Sequence, residues 1–129
     1  MIRVLVVEDD SNLRAIVRRI LQRAGYEVIE ACNGLEAVEK LHAMSDTSVH
    51  LVITDILMPE REGIETIVGL RRQHPEIKII AMSGGGKGGA DHYLEMAREF
   101  GADHAMHKPF DKADLLAAVE NLVGLATAQ

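Results

Sequence analysis

One cysteine occurs among 129 residues. An internal disulfide is therefore excluded, and the count fits a reducing compartment. Cys32 itself reads as a small packing residue rather than a nucleophile. Long apolar runs are missing as well. Val4 to Val7 is cut off by Glu8-Asp9-Asp10, which rules out a secretory signal at that place. No apolar stretch is long enough to span a bilayer, so no membrane role is expected and the cytoplasm is the expected location. Basic charge is scarce: 14 Lys and Arg stand against 20 Asp and Glu, a formal net charge of -6. That balance argues against DNA or RNA as a direct partner, because phosphate backbones attract basic surfaces. Internal repeats and linkers are absent too. The expectation is one domain over residues 1–129, with a core from about 2 to 123 and no output domain.

What is present is a regular alternation of apolar runs and helical patterns. Strands are expected at Ile2 to Val7, Glu27 to Ala31, His50 to Thr54, Ile77 to Met82 and Asp103 to His107. Helices are expected at Asn12 to Ala24, Gly34 to Met44, about Ile64 to Gln73, about Ala90 to Phe100, and after Asp111. Leu13, Ile16, Val17, Ile20 and Leu21 should share one face of the first helix. Leu35, Val38 and Leu41 should face inward on the second.

This (βα)5 pattern implies an α/β fold, a doubly wound parallel sheet with helices on both faces. Strands one, three and four are nearly all apolar, as strands covered on both faces should be. The second alternates and the fifth is half polar, which suits edges. The order 2-1-3-4-5, that of flavodoxin-like folds, satisfies all of this.

In such sheets ligands bind beyond the carboxyl ends of the strands, beside the switch point between strands one and three. Strand one ends in Glu8-Asp9-Asp10, strand three in Asp55, strand four in Ser83-Gly84 and strand five in Lys108-Pro109. Each alone has a bland reading as a cap, turn or surface charge. Together they bring acids, a hydroxyl and an ammonium to one edge. Two like charges ~4 Å apart repel by roughly 4 kcal/mol at an intermediate dielectric. Lys108 cannot balance four acids, but a divalent cation can. The ligands on offer are oxygens, which favours Mg²⁺ or Mn²⁺. Phosphoryl transfer is the chemistry that suits this set. A carboxylate serves as nucleophile, the metal and Lys108 stabilise the transferring oxygens, and the Ser83 hydroxyl and Gly84 N–H bond the attached group.

These residues resemble the receiver domains of two-component response regulators, in a single-domain form. The pieces are Val6-Val7-Glu8-Asp9-Asp10, Asp55-Ile56-Leu57-Met58-Pro59 with Gly63, Met82-Ser83-Gly84, Gly101-Ala102-Asp103 and Lys108-Pro109-Phe110. The resemblance implies Asp55 as phosphoacceptor and Asp9 as direct metal ligand, with Glu8 acting directly or through water. It further implies the Leu57 backbone carbonyl as a ligand, Ser83 as the hydroxyl switch residue, Lys108 as the phosphate-binding lysine and a cis Lys108-Pro109 bond. Asp10 falls outside the acid pair and is assigned a capping role. The implied partners are a sensor histidine kinase or phosphotransfer protein as donor and a separate downstream protein as reader. A homodimer through helix four, strand five and helix five is a further possibility. No enzymatic turnover is expected beyond Mg²⁺-dependent self-phosphorylation from acyl phosphates and autodephosphorylation.

Ala105 departs from the pattern, since the family usually has Tyr or Phe three residues before the lysine. An aromatic rotamer switch is thus in doubt, and the signal would travel through residues 84–89 or through His104 and Met106. Five of the six residues from Gly84 to Gly89 are glycine. Either this loop orders on phosphorylation or it is a floppy connector. It is not a nucleotide-binding P-loop, because Ala81 and Gly88 stand where that motif needs Gly and Ser or Thr. Arg14, Arg18, Arg19 and Arg23 form a basic stripe, read as a solvated face or a docking surface for a kinase bundle. The six histidines are expected mostly at the surface. Two rival functions remain. One is a phosphatase with an aspartyl-phosphate intermediate, which lacks a second acid because Ile56 and Leu57 follow Asp55. The other is a constitutive protein-binding pseudo-receiver.

Overall fold

Val4 to Val7 carry apolar side chains on both faces of a strand, and the fold buries both. In the computed structural model, which describes residues 1–44, 49–56, 62–84, 95 and 97–125, β1 (Arg3–Val7) lies between β2 (Glu27–Ala31) and β3 (Leu51–Asp55). β4 (Lys78–Ser83) and β5 (His104–His107) complete a parallel five-stranded sheet in the order β2-β1-β3-β4-β5. Val4 and Val6 point into one core with Leu51, Ile53, Ile80 and Met82. Leu5 and Val7 point into the other with Val52, Ile79 and Ala81. This is the two-residue period of a strand expressed in two separate cores.

α1 (Ser11–Arg23) and the final helix (Lys112–Val123) cover the first face through Val17, Leu21, Leu115 and Val119. α2 (Gly34–Ala43) and α3 (Glu62–Gln73) cover the second through Ala37, Leu41, Ile67 and Leu70. Caps fix where helices start. Asp10 accepts from the Asn12 and Leu13 amides at 2.9 and 3.2 Å, Asn33 from Glu36, and Asp111 from Asp114. Of the expected helix from Ala90 to Phe100, only residue 95 and residues 97–100 are described, and 95 and 97–99 are helical. Gly85 to Gly89 lie outside the described residues. Among the described residues no helix is long and apolar enough to cross a membrane.

Three expectations need correction. Leu35 is 68% exposed, because the buried stripe of α2 runs through Gly34, Ala37 and Leu41 and leaves Leu35 to one side. Ile16 is 49% exposed at the edge of a stripe that centres on Val17 and Leu21. Cys32 is exposed rather than packed. It sits in the turn between β2 and α2, where its amide donates to Glu36 Oε1 at 2.6 Å while Asn33 accepts from the Glu36 amide. This reciprocal arrangement resembles a capping box and directs the chain, not the thiol, inward.

Arg71 of α3 ties the far end of the sheet together. Its guanidinium donates to the carbonyls of Pro75, Ile77 and Gly101 and, at 2.7 Å, to Asp103 Oδ2. Asp103 also accepts from the Ile79 amide at 2.8 Å. Gly101 has φ 128°, and a Cβ there would meet Arg71 Cγ at 3.1 Å. Gly101→Ala is therefore expected to cost about 1–3 kcal/mol, from backbone strain and displacement of Arg71. Chemical denaturation should show this as a lower midpoint with an unchanged slope.

Candidate functional site

Strand register decides which residues meet. Val7 of β1 is level with Thr54 of β3, so Glu8 follows β1 beside Asp55. Asp55 is level with Met82, which places Ser83 one step further along β4. Ser83 is level with His107, and Lys108 comes next. The four segments expected to converge do so at one sheet edge.

Lys108 is the hub. Its Nζ donates to Glu8 Oε1 and to Asp55 Oδ2, each at 2.8 Å. Glu8 is 1% exposed and Asp55 5%. The Lys108-Pro109 peptide is cis, as expected. Lys108 is held close by its own amide, which donates to the Ser83 carbonyl at 2.9 Å. A Cβ on Gly84 would meet Lys108 Cβ and Cδ at 3.0 Å, so glycine lets the lysine chain pass.

The carboxyl oxygens of Glu8, Asp9 and Asp55 come within 4.8 Å of one another. This all-oxygen set suits a hard divalent cation. Asp9 is exposed, while Glu8 and Asp55 are buried. Asp10 stands apart as the cap of α1, as assigned, and its amide donates to Glu8 Oε2 at 3.1 Å. Ser83 is the other notable group. Its Oγ is fully buried and has no hydrogen-bond partner among the described residues. A buried hydroxyl without a partner is costly, which marks it as waiting for an acceptor. Leu57, the expected carbonyl ligand, lies outside the described residues.

Burial dominates Glu8. It pushes the carboxyl up to about 7, against the pull of the Lys108 hydrogen bond and the Asp10 amide, and the Asp55 charge adds to the rise. Burial works against the Lys108 charge, but the hydrogen bonds it donates to Asp55 and Glu8 outweigh this and raise the ammonium above its ordinary value. Two buried acids therefore share one ammonium, with Asp9 close by.

Residues 4–120 match the response regulator receiver domain family. The chain belongs to that family. This receiver domain is 32% identical over 123 residues to the transcriptional regulatory protein CpxR of Escherichia coli K12, covering 95% of this chain and 50% of that protein. It thus spans about half the length of the first curated relatives it matches. It is 38% identical over 125 residues to the chemotaxis protein CheY1 of Helicobacter pylori J99, covering 95% of this chain and 97% of CheY1. Among solved structures, the response regulator TrrA of Thermotoga maritima, in complex with Mg(2+)-BeF, superposes with a TM-score of 0.81 at 33% identity. That match covers 95% of this receiver and 100% of TrrA.

Two features escaped the sequence reading. Arg14 and Arg18 were placed on a basic stripe, yet both pair with Glu30, at 3.1 and 3.0 Å. Only contacts between β2 and α1 reveal this. His50 is half-buried, its Nδ1 accepting from the Arg3 amide at 3.0 Å, whereas His42, His104 and His107 are exposed as expected.

The raised Glu8 value sets a pH dependence for the metal-free protein. Between pH 4.5 and about 7 the unfolded chain ionises Glu8 while the folded chain keeps it protonated. Stability from this group is therefore present at low pH and lost as pH rises through that window. Glu8→Gln should abolish this loss. Denaturation midpoints measured from pH 4 to pH 8 in chelator check it.

Proposed function

We propose that the protein is a phosphoacceptor switch that takes a phosphoryl group on Asp55 from a sensor histidine kinase or phosphotransfer protein. The observation that carries this reading is the buried Ser83 hydroxyl, without a hydrogen-bond partner among the described residues, at the same sheet edge as the Lys108-bridged Asp55. A binding module would have no reason to bury such a hydroxyl away from any acceptor among the described residues.

The chemistry follows from the groups present. A carboxylate oxygen of Asp55 attacks the phosphorus of a phosphohistidine, the P–N bond breaks, and the imidazole leaves. The product is an acyl phosphate. Lys108, already 2.8 Å from Asp55 Oδ2, is placed to bond an oxygen of the added group. Ser83 donates its hydroxyl to a phosphoryl oxygen, and the Gly84 amide does the same. Glu8, Asp9 and Asp55, with the Leu57 carbonyl, are the residues that would hold Mg²⁺, and Mn²⁺ has the same preferences. When bound, the ion supplies charge neutralisation at the phosphoryl oxygens. The Mg(2+)-BeF complex of the TrrA relative supports this assignment.

Signalling then requires the acyl phosphate to bias a conformational equilibrium. Ala105 packs against the core shared with α2 and α3 and offers no ring to rotate. The output passes instead through the Ser83–Gly84 segment and the β5 face to a separate protein. The near-complete match to CheY1 supports reading these residues as a receiver whose state is read by a separate protein. A homodimer through β5 and its flanking helices belongs to the same proposal. The intact acids, Ser83 and Lys108 argue against a constitutive pseudo-receiver, and the missing second acid after Asp55 argues against a turnover phosphatase.

Intact-protein mass spectrometry after incubation with a small acyl phosphate tests this. The expected result is one phosphoryl adduct that requires Mg²⁺ and is lost in Asp55→Asn. A folded, Mg²⁺-binding protein that takes no adduct, even from a phosphorylated kinase, would leave the pseudo-receiver as the better reading.

A further inference from the structure

The connector between β1 and α1 carries two of the three acids, and its backbone is held by an unexpected group. The Glu8 amide donates to the Ala31 carbonyl at 3.0 Å, which extends the β1–β2 ladder by one residue. The Glu8 carbonyl would next need the amide of Asn33. Asn33 has left the sheet to cap α2, so that donor is gone. Arg14 takes its place, donating from Nη1 to the Glu8 carbonyl at 2.7 Å. Arg14 Nε donates to Glu30 Oε1 at 3.1 Å. Glu30 Oε2 accepts from Arg18, and the Glu30 carbonyl accepts from Lys40. Partial burial works against the Glu30 charge, but the bonds from Arg18 and Arg14 outweigh it and hold the carboxyl below its ordinary value.

We propose that Arg14, aimed by Glu30, is a positioning residue that fixes the Glu8–Asp9 backbone so that both carboxylates face the cation site. This rests on the reading of Glu8, Asp9 and Asp55 as Mg²⁺ ligands. Glu8 has its side chain bonded to Lys108 and to the Asp10 amide, and its carbonyl bonded to Arg14. Asp9 follows directly and has no bonded side-chain partner among the described residues, so its direction is inherited from this backbone. The planar guanidinium spans two acceptors that a single ammonium cannot serve in the same geometry.

Charge and positioning predict opposite signs. Removing a positive charge beside the acids tightens Mg²⁺ binding if only through-space electrostatics act. Removing a positioning group weakens it, by about 10-fold on the scale of other outer ligand supports. Mg²⁺ titration calorimetry at pH 8 on the full chain separates the two. Arg14→Gln is expected to bind Mg²⁺ about 10-fold more weakly than wild type. Arg14→Lys, which keeps the charge and protects the fold, is expected to bind more weakly too. Arg19→Gln loses the same charge from an exposed position on α1 and is expected to bind as tightly as wild type or tighter. Saturating Mg²⁺ should restore phosphoryl yield in Arg14→Gln, and melting in chelator verifies that each variant is folded. Wild-type binding with undiminished affinity in Arg14→Gln or Arg14→Lys would overturn the positioning role alone. No Mg²⁺ binding by the wild type would remove the metal-site reading and this inference with it.

Discussion

Lys108 Nζ lies between two buried carboxylates, 2.8 Å from each, and the rest of the site is arranged around that bridge. Glu8 and Asp55 end adjacent strands, so the parallel register forces them together at the sheet edge. Like charges that close repel by several kcal/mol when water is scarce. The ammonium offsets part of this, yet it serves two acids at once, and Asp9 adds a third nearby. The site is short of positive charge by construction. A proton on Glu8 relieves the shortage in the metal-free protein, and a divalent cation relieves it better.

The same shortage gives the site its direction of response. An incoming phosphoryl group would add negative charge where positive charge is already scarce, and would call for the cation as well as Lys108. It would also supply an acceptor for the buried Ser83 hydroxyl, which has none among the described residues. Phosphoryl attachment would thus satisfy this donor, and the gain would be available only when Ser83 and Gly84 adopt positions that reach the new oxygens. That difference in contacts between two states is what a switch needs.

Much of this was legible in the sequence because strand periodicity and strand ends are local signals. Three apolar runs flanked by two more polar ones indicated the sheet order, and the acids, Ser83 and Lys108 at strand ends indicated the cluster. Side-chain placement on helices was less legible. Ile16 and Leu35 are apolar, and only the packing partner decides that Val17 and Ala37 go inward while they do not. Cys32 was misread because burial tendencies are averages over residue types, whereas its exposure follows from the turn that Asn33 and Glu36 build. The Arg14–Glu30 pair was hidden for another reason. Nothing local links a residue on α1 to the end of β2; the contact exists only once β2 has docked beside β1.

The measurement that bears most directly on the charge shortage is Mg²⁺ titration calorimetry at pH 7 in two buffers of different ionisation enthalpy. With the Glu8 carboxyl raised to about 7, Mg²⁺ should displace a measurable fraction of a proton per ion bound. The apparent enthalpy should then differ between the buffers, and Glu8→Gln should erase the difference. Mg²⁺ binding with identical enthalpies in both buffers for the wild type would contradict the account.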